Sequence, residues 1–511
     1  MSIIGELSLW VALILAAWAS AVSFAGGTLE RRDLTESGER AIYATLGMIA
    51  LAAAGLWTAL FTHDFSLAYV ASHTSANLPR IYIFSAFWAG REGSLLLWAL
   101  ILAVYASLAV HLGREGDRRM MSHATGTLAL VMLLFLAVLC FGANPFERLD
   151  WIPLDGRGMN PVLQHPVMVV HPPSLFLGYA GTTIPFAFCA AALIRRNMDE
   201  QSLKAIRNWT LVAWFFITTG IVLGLWWAYV EGGGGRDWAW APVENASVLP
   251  WLATSAFLQS MIMGGTPPIV RRLSLALVVS AFVFSILATF AGQNGIAWIA
   301  NPSRQLTMQL LLAVPIILAT VVTAYLLTAR LDLAAINARM EPAAKSARRY
   351  GGYVVYAGLL TLFVGFAGLA FARRTDLTLR PGEERELVDP AGHKWRLVSQ
   401  GISQYDILNR QVTALTLDLS RDGKREGVLT TEIRQHIDSR GAPTFDPSTG
   451  AGISQSLQQD VYVGLASVGE DQAARIRIAF NPLVTLVWIG GALMIMGGLI
   501  LMWPFPEGNR S

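Results

Sequence analysis

The chain has little charge for its size. Asp, Glu, Lys and Arg make up 14% of its 511 residues, hydrophobic residues make up 54%, and the mean hydropathy is +0.48. A soluble domain of average composition carries about 25% charged residues, so the composition argues against a soluble protein and indicates a membrane protein. The formal net charge is only +3. Because the basic residues lie in short loops between apolar runs, we expect no nucleic-acid partner.

Cysteine is scarce as well. The two cysteines, Cys140 and Cys189, each lie inside an apolar run, and the sequence contains no CxxC pair. Neither a zinc ribbon nor a redox dithiol is therefore supported. The outer loops also lack the GxSxG, HExxH and P-loop patterns, so nothing predicts nucleophilic catalysis. No small-residue cleavage site follows the first apolar run, and we expect that run to remain as a membrane span.

What the chain has in abundance is apolar runs of about 20 residues, the length that crosses a bilayer. They predict a polytopic α-helical membrane protein with about eleven spans. The loops between spans alternate in charge: one set holds 17 Lys and Arg residues, and the short loops of the other set hold 6. The richer set is expected to face the cytoplasm, which places the N-terminus outside and the C-terminus inside. The predicted spans are 5–26, 40–62, 93–113, 123–143, 172–194, 207–229, 246–265, 273–295, 305–327, 351–371 and 481–503.

The segment before the last span has a different pattern. Leu415, Leu417 and Leu419 alternate with polar residues, Asp422-Gly423 follows, and a second run returns through Val428. Alternation on both sides of an Asp-Gly pair predicts a β-hairpin. We therefore predict three parts: a transmembrane helical domain at 1–371, a small, mostly β domain outside the membrane at 372–480, and a last span with a cytoplasmic tail at 481–511.

A Trp-rich stretch at 225–252 lies outside the membrane in this topology. It holds Trp226, Trp227, Trp238, Trp240 and Trp251, five of the chain's 17 tryptophans, and four consecutive glycines interrupt it. One interpretation is an aromatic belt at the membrane surface. The other is a platform for a flat apolar ligand, because glycines let the backbone approach closely. A ligand with carboxylates would also need basic residues, and the outer-face candidates are Arg236, Arg91 and Arg304.

Two further positions are candidates for a ligand site. His171 opens the sequence His171-Pro172-Pro173, which we interpret as the start of a span, so the imidazole is a candidate axial ligand for haem iron. The alternative is a histidine that only hydrogen-bonds a loop carbonyl, which is also how we interpret His165 and His73. Glu244 and Asn245 lie where the chain re-enters the bilayer. A carboxylate at that depth indicates function, or else it only complements a helix dipole.

The order of residues in three long segments resembles one known family. They are LPRIYIFSAFWAGREGSLLLW at 78–98, NPVLQHPVMVVHPPSLFLGYAG at 160–181 and WAWAPVENASVLPWL at 238–252. They resemble CcmF-type proteins, the membrane haem lyases of bacterial cytochrome c maturation, which carry a periplasmic Trp-rich loop called the WWD domain. The resemblance continues to the last span and covers most of the chain.

The resemblance implies a bacterial inner-membrane protein that receives haem from a haem-carrying chaperone and helps attach it to apocytochrome c, together with other maturation subunits. It implies that the Trp-rich loop presents haem between two periplasmic histidines, and that two membrane histidines hold a b-type haem. His171 matches the first periplasmic histidine. The matched residues of the loop core are Trp238, Trp240, Pro242, Glu244 and Asn245.

Several positions depart from the family pattern. Ala241 replaces the loop's Asp, Asp237 stands where an aromatic residue is usual, and the segment 295–304 has no second periplasmic histidine. Gln259 and Tyr356 occupy the positions of the two membrane histidines. The family is also longer by more than a hundred residues, with the missing part between about 330 and 350.

We therefore expect a divergent, shortened family member that binds haem transiently through His171 and has no stable membrane b-haem. A second interpretation is a non-catalytic scaffold or assembly paralogue that has lost its haem ligands. A transporter is less well supported, since the spans contain few ionisable residues.

Overall fold

The computed structural model describes residues 2–114, 116–198, 200–231, 242–262, 268–292 and 347–503. Twelve α-helices and nine β-strands are found in these ranges. The helices are α1 (Ser2–Leu29), α2 (Arg32–Phe61), α3 (Ala68–His73), α4 (Arg80–Ser85), α5 (Arg91–Leu112), α6 (Arg118–Phe141), α7 (Pro166–Arg195), α8 (Glu200–Glu231), α9 (Pro242–Ile262), α10 (Pro268–Gly292), α11 (Ala347–Leu369) and α12 (Val484–Met502), with short 3₁₀ turns at Ala86–Trp88 and Pro161–Leu163.

The protein is a multi-pass membrane protein, as its hydropathy predicts. Nine of the described helices are long and apolar enough to cross a bilayer. The predicted span at 246–265 coincides with α9, which is not among those nine. The predicted span at 305–327 lies outside the described residues. The total of about eleven spans and their orientation stay predictions.

The helices pack mostly as antiparallel neighbours in the chain. α1 packs on α2 and α6, α7 packs on α8 and α6, and α9 packs on α10. Two indole hydrogen bonds join α8 to α9: Trp214 Nε1 donates to Ser255 Oγ at 2.8 Å, and Trp251 Nε1 donates to Thr218 Oγ1 at 2.9 Å. The helices on either side of the Trp-rich loop are thereby fixed to each other.

The last two helices meet at glycines. A Cβ built at Gly358 would lie 2.7 Å from Gly490 O, and one built at Gly497 would lie 2.9 Å from Gly351 O. Side chains at these positions would force α11 and α12 apart. Small residues at such a crossing let two membrane helices approach backbone to backbone. The two helices therefore form a close pair although 114 residues, 370–483, separate them in the chain.

Those intervening residues form an antiparallel β unit. One sheet has the strand order β1-β9-β8-β7 and the other β2-β3-β4-β5-β6. A core that includes Leu417, Leu429, Val463 and Ile476 lies between the two sheets. The strands are β1 (Arg373–Leu379), β2 (Glu384–Val388), β3 (Lys394–Ile407), β4 (Arg410–Arg421), β5 (Lys424–His436), β6 (Ser448–Gly450), β7 (Gly452–Ser454), β8 (Gln459–Val468) and β9 (Ala474–Pro482).

The predicted hairpin is confirmed as β4 and β5. Asp422 and Gly423 both have positive φ, at 48° and 81°, which is the backbone conformation that a two-residue type I′ turn requires. The alternating leucines of β4 are buried in the sandwich core. The even-numbered residues of β4 and β5 therefore lie on the opposite face of the sheet.

The β unit docks on the same end of the helix bundle as the loops before α4 and α7. Asn77 Nδ2 donates to Ile437 O at 3.1 Å, and Asn409 Nδ2 donates to Gln164 Oε1 at 3.0 Å. Asp155 accepts hydrogen bonds from Ser439 Oγ and, at 2.9 Å, from the backbone N–H of Ala76.

Candidate functional site

His171 lies on α7 and borders a partly open cavity of about 230 Å³. The cavity wall is mostly apolar and includes Leu163, Met168, Leu175 and Phe176. This volume is below the 300–1,000 Å³ typical of small-molecule pockets. The cavity is therefore too small to enclose a whole macrocycle.

The imidazole of His171 is held by the neighbouring helix. Nδ1 lies 2.8 Å from the carbonyl oxygen of Gly220 on α8. A carbonyl only accepts hydrogen bonds, so Nδ1 carries the proton and donates, and Nε2 keeps its lone pair. Nε2 has no hydrogen bond to any residue that the structure describes. A fixed tautomer with a free Nε2 is the arrangement in which a histidine binds a metal.

The approach of this ring to α8 requires glycine. A Cβ built at Gly224 would lie 2.5 Å from Cε1 of His171, and one at Gly220 would lie 2.5 Å from the side chain of Leu175. Gly224 therefore makes room for the imidazole, and Gly220, one turn earlier on α8, makes room for Leu175.

The prediction that a span starts at His171 is wrong. The helix starts at Pro166, with His165 as its N-cap, so Pro172 and Pro173 lie inside α7. Pro172 has no N–H, which leaves the carbonyl of Met168 without its helical donor. Trp88 Nε1 donates to that carbonyl at 3.1 Å. The indole restores the missing hydrogen bond and explains how the helix tolerates a proline next to His171.

The other two outer histidines have structural contacts. His165 Nδ1 accepts the backbone N–H of Val167 at 3.2 Å, which caps α7. Burial lowers the pKa of His165, and the charge of Arg434 lowers it further, so the ring stays neutral. His73 stacks on Tyr69 with ring centroids 4.4 Å apart, and its Nδ1 lies 2.8 Å from Tyr69 O.

Both ends of the Trp-rich stretch, 225–231 and 242–252, belong to the described residues. Trp226 packs edge-on against Trp488 of α12 with ring centroids 5.0 Å apart, and Trp227 Nε1 donates to Val162 O at 3.2 Å. Both indoles therefore fix the end of α8. Glu244 and Asn245 lie in the first turn of α9. The predicted residues Arg236, Trp238 and Trp240 lie outside the described residues, as does Arg304.

The β unit contacts the end of α8 within that stretch. Tyr229 OH donates to Asp460 Oδ2 at 3.2 Å and accepts from Asn481 Nδ2 at 3.2 Å. Two residues later, Glu231 Oε1 lies 3.3 Å from Arg434 Nη1. All of these groups except Arg434 are at least nine-tenths buried. Sequence reasoning missed them, because the contacts join residues more than 200 positions apart.

Gln259 of α9 and Tyr356 of α11 face each other. The Tyr356 hydroxyl donates a hydrogen bond to Gln259 Oε1. The two side chains therefore meet directly. Arg91, one of the predicted carboxylate-binding residues, forms an ion pair with Glu92, with Nη2 2.8 Å from Oε1.

The comparisons with known proteins agree with one another. A family model described as cytochrome C assembly protein matches residues 88–296. The chain is 38% identical over 292 residues to the cytochrome c-type biogenesis protein ccl1 of Rhodobacter capsulatus, which covers 57% of this chain and 45% of that protein. It is 26% identical to the cytochrome c-type biogenesis protein CcmF of Escherichia coli over 93% of both chains. A solved structure titled cytochrome c heme lyase CcmF matches with a TM-score of 0.76 over 98% of both chains at 22% identity, which shows a shared fold.

Together these similarities support the CcmF-type family for this chain. The chain spans about half the length of several relatives that it matches at higher identity, such as the R. capsulatus protein. The alignment with the E. coli CcmF runs over 610 positions, more than the 511 residues of this chain. Part of that relative therefore has no counterpart here, as expected for a shortened family member.

The residues at the two membrane histidine positions do not fit a b-type haem. An amide and a phenol stand there, and they hydrogen-bond each other directly. A haem between them would have to break that bond. His171 does fit haem iron by its chemistry, because its Nδ1 is fixed by Gly220 O, its Nε2 has no hydrogen bond to a described residue, and the residue lines the cavity.

Proposed function

We propose that this protein acts in cytochrome c biogenesis by binding haem transiently at the outer face of the bacterial inner membrane and presenting it for attachment to apocytochrome c. The observation that carries the proposal is the geometry of His171. Its Nδ1 donates to Gly220 O, its Nε2 has no hydrogen bond to a described residue, and the residue lines a mostly apolar cavity.

The chemistry of this role is positioning. When haem is held at a fixed place and orientation, two thiols can react with its vinyl groups without first meeting them by diffusion. Such positioning accounts for much of the acceleration of reactions of this kind. In this proposal His171 ligates the iron, and the indoles of Trp238 and Trp240 stack on the macrocycle. The start of the loop is held by Trp226, by Trp227 and by the contacts between the β unit and α8. Arg236, Glu244 and Asn245 stay candidate contacts of the bound haem.

The proposed partners are a haem-carrying chaperone, apocytochrome c, other cytochrome c maturation subunits and the membrane lipid. The β unit lies beside the cavity on the same end of the bundle, so it is the proposed contact for a protein partner.

A second candidate function is a non-catalytic scaffold of the same assembly. The hydrogen bond between Gln259 and Tyr356 favours it, because this contact occupies the place where the family pattern has two haem-ligating histidines. A scaffold would keep the partner surfaces without binding haem.

Haem titration of the purified protein in detergent separates the two functions. We expect a Soret band that saturates at one haem per chain and is lost in His171→Ala. His111→Ala is the matched control, since His111 lies exposed at the far end of α5. Retention of the full band in His171→Ala would refute the proposed ligand, and absence of any band in the wild-type protein would favour the scaffold.

A further inference from the structure

Strand β3 is longer than the strand that covers one of its sides. β2 pairs with residues 394–398 of β3, whereas β4 pairs with residues 395–407. A bulge between Ser399 and Gly401 lies where β2 ends. Residues 402–407 therefore have a partner strand on one side only among the described residues, and we call this stretch the open edge. All of its residues except the first are exposed.

The backbone of the open edge directs groups away from β4 at every second residue. A two-residue turn follows β3, so Ile407 and Arg410 flank the turn and form a hydrogen-bonded pair. Hydrogen-bonded and non-hydrogen-bonded pairs alternate along two antiparallel strands. The N–H and C=O groups of Gln404 and Asp406 therefore point outward, and none of them has a hydrogen bond to a described residue. Such a row of unpaired backbone groups is a template for another strand.

The open edge has few of the features that normally prevent the addition of a strand. Proteins protect sheet edges with lysine, proline, bulges or very short strands. The open edge reads ISQYDI, without lysine or proline, and the bulge of β3 lies before it. The other outer strands differ: β6 and β7 have three residues each, and β1 and β2 each carry three charged residues. Tyr405 and Leu408, at 40% and 77% exposure, offer a bound strand apolar contact.

The turn that ends β3 contacts residues beside the cavity. Asn409 Nδ2 donates to Gln164 Oε1 at 3.0 Å, and Gln164 Nε2 donates to the carbonyl oxygen of Met159 at 2.9 Å. Met159 and His171 line the same cavity. Asp406 precedes Asn409 by three residues, which span at most about 10 Å. A strand added to the open edge would therefore have one end close to the cavity wall.

We propose that the open edge binds an extended polypeptide segment by β-strand addition, in which hydrogen bonds between main chains supply the affinity. The six residues of the edge span about 20 Å, enough for the five-residue C-x-x-C-H segment to which haem is attached in c-type cytochromes. We assign this segment of apocytochrome c as the occupant, because the edge would hold its thiols beside the proposed haem site. The assignment of the segment rests on the proposed function, whereas strand addition does not.

A short, reduced, fluorescently labelled peptide with a central C-x-x-C-H motif tests strand addition. Its binding to the purified protein in detergent is measured by fluorescence anisotropy without haem. Only alternate residues of an added strand direct their N–H groups toward the edge. We therefore expect N-methylation of one alternate set of peptide residues to abolish binding and N-methylation of the other set to leave it unchanged. A peptide held only through its side chains would show no such alternation.

Gln404→Pro tests the same contact from the side of the protein. It removes one outward N–H and places a ring in the path of the peptide, without removing a hydrogen bond to β4. We expect the dissociation constant of the peptide to rise about tenfold. Glu386→Pro in β2 is the matched control. Ser399 N–H donates to Glu383 O, so odd-numbered residues of β2 face β3 and the N–H of Glu386 faces outward. This variant should bind the peptide like the wild-type protein.

Three results would overturn strand addition: no binding of the unmodified peptide to the wild-type protein, equal binding of the two N-methylated peptides, or equal binding by Gln404→Pro and Glu386→Pro. Apocytochrome c should compete with the peptide, and holocytochrome c, in which the segment is folded around haem, should not. Any other pattern of competition would overturn the assignment of the segment. The proposed function fails separately, as a haem titration without a Soret band that depends on His171.

Discussion

Gly224→Ala tests whether the position of the imidazole sets haem affinity. The added Cβ would lie 2.5 Å from Cε1 of His171, whereas carbon atoms in contact stay about 3.5–4.0 Å apart. The ring must therefore retreat by about 1 Å. That shift breaks the 2.8 Å hydrogen bond between Nδ1 and Gly220 O. The tautomer and the orientation of the ring are then no longer fixed.

Two magnitudes follow from this clash. Overpacking costs about 1–3 kcal/mol of stability, and a helical Gly-to-Ala change recovers up to about 1 kcal/mol, so the variant should fold with a slightly lower melting temperature. Changes to the groups that orient a metal ligand cost about 10- to 100-fold in affinity. We therefore expect the haem dissociation constant to rise by that factor, although the substituted residue is not a proposed haem contact.

The assay is a Soret titration of Gly224→Ala beside Gly352→Ala. Gly352 is also a helical glycine, and a Cβ built there meets no atom within 4 Å, so that variant should bind haem like the wild-type protein. The reasoning is refuted if Gly224→Ala binds haem with unchanged affinity while its Soret band still depends on His171.

Three further results are expected. Burial lowers the pKa of His436 from 6.5 to about 4. Between these pH values His436 binds a proton in the unfolded chain but not in the folded chain. Stability should therefore fall as the pH drops from 6.5 toward 4. The loss should be about 2 kcal/mol at pH 5 and absent in His436→Gln, and equal pH profiles of the two melting temperatures would contradict it. The double variant Gln259→His, Tyr356→His should gain a haem that survives washing in detergent, whereas neither single variant should gain one. A double variant without bound haem would show that the two helices cannot make room for haem. Glu231→Gln and Arg434→Gln should each lower the melting temperature, because removing one partner leaves the other charge buried. The double variant should lose less than the sum of the two single losses. Additive effects would mean that the ion pair does not fix the β unit to α8.

Much of the fold follows from patterns local in sequence. Long apolar runs predict most of the membrane helices because lipid leaves backbone groups no other partners. The β4–β5 hairpin follows from the alternating leucines and from Asp422-Gly423, whose positive φ values suit few other residue pairs.

The site was less predictable, because its parts come from distant segments. The start of α7 was misplaced because Pro172 and Pro173 resemble a helix start, and only the contact between Trp88 and Met168 O shows how they fit inside a helix. His165-Pro166, a capping residue followed by proline, was the local signal that marked the true start.

The glycine contacts between α11 and α12 have a consequence for how the protein could move. The β unit is connected to the membrane domain by α11 and α12, whose backbones touch, so both connections pass through one helix pair. A tilt of this helix pair would move both sheets together and shift Arg434 relative to Glu231. Replacing Gly358 or Gly490 with a bulky residue would therefore perturb the outer face from within the lipid.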